Sequence, residues 1–188
     1  MAINPQKKLS PLEYLAFERA QTDAKHEYLD GEITAMAGNS REHNRIVSNV
    51  MGMLYNQLRG RPCDHYGGDM RVKVPATGLY VYPDVTALCD EPQFEDEVFD
   101  TLLNPSVIIE VLSESTEAYD RGAKFDHYRS IEELQIYILI AQDKPQIELF
   151  QRQVDHWLLS VAKGLEARIR LEPIDCELAL ADVYERVL

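Results

Sequence analysis

Apolar positions recur along the chain with two periods, one helical and one confined to short β-branched runs. Within 40–59, Ile46, Val47, Val50, Met53, Leu54 and Leu58 return at helical spacing, which predicts a long amphipathic helix packed on a sheet. Ser10-Pro11-Leu12-Glu13 places a serine cap, a proline at the first helical position and a glutamate three residues after the cap, so a helix is predicted to about Gln21. Residues 25–37 read as two strands around the hairpin dipeptide Asp30-Gly31. Further strands are predicted at about 69–74, 79–88, 107–112, 135–141, 146–152 and 156–161, with a short helix at about 121–129 and a small capping helix in ALADVYERVL. No repeat or Gly/Ser/Pro-rich linker divides residues 1–188, so one domain is expected.

One strand carries a residue that does not belong in it. VIIEVLSEST, beginning at Val107, is apolar in five of its first six positions, and the exception is Glu110. A lone carboxylate in a strand covered on both faces costs several kcal/mol unless it is protonated, paired or bound to a metal. A second carboxylate, Asp84, follows Pro83 inside the other apolar run, an uncomfortable place for both residues. Carboxylates on neighbouring strands can converge on a hard divalent cation such as Mg²⁺, which takes one or two of them plus water and phosphate oxygens.

Between those runs lies CDEPQFEDEVFD, with six acidic residues and no basic one, which reads as a solvated loop. Downstream, Lys124 lies one helical turn from both Asp120 and Tyr128. A lysine there can orient a water or stabilise charge developing on a phosphate; otherwise it pairs with Asp120 on a hydrated face.

Composition narrows the possibilities. The formal net charge of −13 opposes general attraction to phosphates, which counts against a simple DNA-binding module and leaves Arg41, Arg45, Arg59, Arg61, Arg71 and Lys73 as candidate contacts. Cys63, Cys89 and Cys176 are widely separated and odd in number, so reduced thiols and a cytoplasmic setting are expected. The N-terminus has no signal-type apolar core, and no stretch approaches membrane-spanning length.

Taken in order, the EYLDGEI hairpin, Arg41-Glu42-His43, Tyr82-Pro83-Asp84, EVLSEST, the lysine helix and LQIYILIAQDKPQIELF resemble the PD-(D/E)XK nuclease superfamily, and more closely its bacterial restriction-endonuclease-like branch. The resemblance implies a restriction-endonuclease-like α/β fold, with a mixed central β-sheet flanked by helices and an N-terminal helix and hairpin. It also implies a homodimer and Mg²⁺, with Mn²⁺ as a substitute, held by Asp84, Glu110 and Glu27 to hydrolyse DNA. The superfamily's lysine two positions after the acidic residue is replaced by Leu112, so Lys124 from the helix is its counterpart. Glu27 and His43 match the branch as further catalytic candidates; on the residues alone, Glu27 could be a hydrated strand glutamate and His43 a satisfied core histidine. Two other functions remain open: a nuclease-fold binding or regulatory module without cleavage, and a metal-free acid/base enzyme of glycosidase type.

Overall fold

In the computed structural model the described residues are 8–187. Residues 1–7, most of the stretch expected to lack a signal-type core, and Leu188 lie outside them. The chain runs α1 (Pro11–Arg19), β1 (His26–Leu29), β2 (Glu32–Ala35), α2 (Arg41–Leu58), β3 (Asp64–Gly67), β4 (Arg71–Val74), β5 (Leu79–Val81), β6 (Val85–Leu88), β7 (Thr101–Leu102) and β8 (Val107–Val111). It continues with α3 (Glu117–Arg121), α4 (Ala123–Tyr128), β9 (Ile136–Ile140), β10 (Gln146–Arg152), β11 (Trp157–Lys163), β12 (Arg168–Leu171), β13 (Cys176–Ala179) and α5 (Leu180–Val183).

Local chemistry fixes the first elements as expected. Ser10 caps α1 in a full capping box, its backbone N–H donating to Glu13 Oε2 at 2.8 Å. The β1–β2 turn uses Asp30 and Gly31 at positive φ, 50° and 89°.

A mixed six-stranded sheet, ordered β11-β10-β9-β8-β6-β3, lies at the centre, with β8 and β9 parallel. On one face Ile46, Val50, Leu54 and Leu58 of α2 pack against Val85, Val107, Ile109, Ile138 and their neighbours. On the other, Ile108, Leu112, Tyr137 and Leu139 pack with Phe125 and Tyr128 of α4. Both faces of β8 are therefore covered, which is why its sequence is apolar at every position but Glu110. Each large side chain so buried contributes about 1.5–3 kcal/mol.

A second, five-stranded sheet is ordered β2-β1-β5-β4-β7, and β12 and β13 form a separate ribbon. The run 79–88, expected as one strand, is two strands in two sheets. Pro83 has no N–H to donate to a ladder, and the chain crosses between the sheets at Tyr82-Pro83-Asp84. The helix expected at 121–129 is α4, and a further short helix, α3, precedes it across Gly122.

Cys63 and Cys89, expected as free thiols, are joined in a disulfide. The antiparallel register that sets Asp64 against Leu88 brings them face to face. Only Cys176 remains free, and it is buried. Among the described residues no helix is long and apolar enough to cross a membrane.

Candidate active site

Strand parity decides where Glu110 points. Val107, Ile109 and Val111 project toward α2, so Ile108, Glu110 and Leu112 project the other way, toward α4. There Glu110 Oε1 accepts from Tyr128 Oη at 2.9 Å and lies 2.9 Å from Lys124 Nζ. Leu112, at the superfamily's usual lysine position, is buried in apolar packing instead.

Asp84 sits at the crossing between the sheets, immediately before β6. Its backbone N–H approaches Glu110 Oε2 at 3.3 Å, while its Oδ2 accepts from the Val111 N–H at 2.8 Å. Its Oδ1 lies 2.9 Å from His43 Nε2, so the inward-facing histidine on the first turn of α2 holds the aspartate from a third direction. His43 is buried, and its Nδ1 has no hydrogen-bond partner among the described residues.

Lys124 gathers further carboxylates. Glu27 Oε1 and Asp120 Oδ1 each lie 3.4 Å from its ammonium. β1 is an interior strand between β2 and β5, and the Glu27 side chain is 17% exposed, so it is not a hydrated edge residue. Glu27, His43, Asp84, Glu110 and Lys124 all line one cavity of about 890 Å³, walled on one side by the β1–β2 hairpin.

Electrostatics follow from burial. Desolvation pushes Glu110 up to about 8, with Lys124 opposing the rise and Asp84 and Asp120 adding to it. Desolvation works against the Lys124 ammonium, but Glu110, Tyr128, Glu27 and Asp120 outweigh it and hold the lysine well above its usual value. Four carboxylates thus face one ammonium and one imidazole. That excess of hard, anionic oxygen suits a divalent cation of the Mg²⁺ type. Among the described residues, no three His, Cys, Asp or Glu side chains already stand grouped for one.

Asp120 and Tyr128 were not assigned roles from the sequence. Their one-turn spacing from Lys124 was the visible signal; that Tyr128 reaches Glu110 depends on how α4 docks on β8.

The acidic loop is not freely solvated. Asp96 and Asp100 both bind Arg19 of α1 at 2.8 Å, and Glu95 accepts from Lys73 and Tyr80. Arg71 is buried against Asp100, Tyr82 and Thr101. Arg71 and Lys73, read from the sequence as candidate DNA contacts, are therefore committed to internal pairs.

The family Uma2, described as "Putative restriction endonuclease", matches residues 11–181. The chain belongs to that family. Two uncharacterized proteins of Synechocystis sp. are similar to it along nearly their whole length. One is 37% identical over 181 residues, covering 96% of this chain and 93% of the relative. The other is 38% identical over 170 residues, covering 90% and 96%. The crystal structure of a "putative nuclease belonging to DUF820" from Anabaena variabilis matches with a TM-score of 0.78 at 17% identity, covering 96% of this chain and 99% of that one. That likeness concerns the fold, which is the restriction-endonuclease-like one expected from the motifs. Membership of Uma2 makes a nuclease-type function the frame for the cavity.

Proposed function

We propose that this Uma2 protein is a divalent-cation-dependent endonuclease that hydrolyses DNA phosphodiester bonds within the cavity beside Glu110. The observation that carries the reading is the convergence of Asp84, Glu110 and Lys124, from a sheet crossing, a central strand and a separate helix, on one concave site. Burying so much like charge together is costly to a fold, and such costly clusters concentrate at functional sites.

Asp84 and Glu110 are the residues to hold Mg²⁺ or Mn²⁺, with Glu27 assisting from the hairpin. The cation would polarise a phosphoryl oxygen and lower the pKa of a water. His43 orients Asp84 through Oδ1, and the Val111 amide fixes its other oxygen. Lys124 places its ammonium where the attacking oxygen is oriented and negative charge on the phosphate is stabilised. A homodimer would supply two such sites.

The cavity also favours a second reading, a binding or regulatory module of nuclease fold. Glu110 Oε1 is already taken by Lys124 and Tyr128, and among the described residues three ligands are not preassembled. Supercoiled plasmid incubated with Mg²⁺, Mn²⁺ or EDTA separates the two. Nicking that needs the cation and is lost in Asp84→Asn and Glu110→Gln supports the endonuclease. Cation-independent binding without nicking supports the module.

A further inference from the structure

We infer that Tyr128 is a positioning residue that sets the rotation of the Glu110 carboxylate and thereby determines which of its oxygens is offered to a cation. This rests on the site proposed above and deepens it. Glu110 Oε1 receives two donors, Tyr128 Oη at 2.9 Å and Lys124 Nζ at 2.9 Å. Among the described residues, Oε2 faces only the Asp84 N–H, at 3.3 Å. The asymmetry turns one oxygen toward the helix and the other toward Asp84.

Lys124 cannot fix that rotation by itself. Its ammonium is shared with Glu27 and Asp120, each at 3.4 Å, and it carries three rotatable donors on a flexible stem. The phenol is different. Tyr128 is fully buried, its ring meets Tyr137 edge-on at 5.4 Å, and its one O–H has a single acceptor. A rigid donor seated in the core defines a direction, whereas an ammonium shared among three carboxylates supplies charge.

Tyr128→Phe keeps the packed ring and removes only that donor. Mn²⁺ affinity, measured by titration calorimetry on the full chain, should weaken about tenfold, the lower end of what loss of a ligand-orienting hydrogen bond costs. Tyr184→Phe is the control, since Tyr184 is buried and its hydroxyl bonds Ala141 and Gln146 rather than any of the site carboxylates. It should lose melting temperature and keep parent Mn²⁺ affinity. A crystal structure of metal-free Tyr128→Phe should show the Glu110 carboxylate rotated or in two orientations. Parent affinity in Tyr128→Phe, with binding lost in Glu110→Gln, overturns the positioning role and leaves the cation site standing. Equal Mn²⁺ affinity in the parent and Glu110→Gln overturns the site, and the role of Tyr128 with it.

Discussion

Lys124 Nζ stands 2.9 Å from Glu110 Oε1, and it reaches that position from α4 rather than from the strand that carries the glutamate. Removing the ammonium leaves Glu110, Glu27 and Asp120 facing one another without a counter-charge. Breaking one side of such a buried arrangement costs on the order of 3 kcal/mol. Lys124→Ala is therefore expected to melt well below the parent in EDTA, to regain part of the loss with Mn²⁺, and to lose plasmid nicking while still binding the cation. Parent-level nicking in this variant would remove Lys124 from the chemistry.

The buried glutamate also sets a pH dependence. Burial lifts Glu110 from an ordinary 4.5 to about 8 in the folded protein. Between those values the folded state retains a proton that the unfolded chain has released, so rising pH favours unfolding. The Glu110 contribution to stability is thus greatest below its unfolded value, declines as pH climbs toward the folded one, and is level above it. Glu110→Gln should erase that slope and raise the metal-free melting temperature at neutral and alkaline pH, because the amide still accepts from Tyr128 and Lys124 keeps Glu27 and Asp120. It should also abolish the stabilisation gained from Mn²⁺ by mass action. Melts of parent and variant in EDTA across this range decide the matter, and parallel curves would count against the assignment.

Much of this geometry was legible in the sequence because it depends on local rules. The α1 capping box, the Asp30-Gly31 turn and the apolar face of α2 are set by neighbours a few residues away. Glu110 and Asp84 stood out because carboxylates are costly in apolar runs. The remainder depends on pairings distant in sequence. The break within 79–88 has a local signal in Pro83, which cannot donate to a ladder, but that the chain changes sheet there depends on which distant strands β5 and β6 pair with. Arg71 looked available until Asp100 and Thr101, on and beside β7, closed over it, and Lys73 is held by Glu95. The pairing of Cys63 with Cys89 is a consequence of register between β3 and β6.

The charge distribution bears on substrate binding. Arg41, Arg45 and Arg59 are exposed, but with Arg71 and Lys73 internal the candidate basic contacts are few against a net charge of −13. DNA binding should therefore need a divalent cation, and its affinity should fall only gently with monovalent salt, because few phosphate counterions are released. Fluorescence anisotropy over a salt series, with and without Mg²⁺, measures both. Tight binding in EDTA with a steep salt slope would instead indicate a basic surface and favour the non-cleaving module.

The Cys63–Cys89 link closes a loop with a sequence separation of 26 and ties edge strand β3 to β6, the strand that begins just after Asp84. A cross-link of that span stabilises by about 3–4 kcal/mol, chiefly by restricting the unfolded chain. Its loss should lower the melting temperature on the order of 10 °C for a chain of this size. Asp84 lies at the opposite end of β6 from Cys89 and is held by His43 and the Val111 amide, so Mn²⁺ affinity should change little. The double variant Cys63→Ser/Cys89→Ser and the reduced parent are expected to melt together, below the oxidised parent. Thiol titration in denaturant without reductant should count Cys176 alone. Three titratable thiols in the purified protein, with melting insensitive to reductant, would show that the bond does not form.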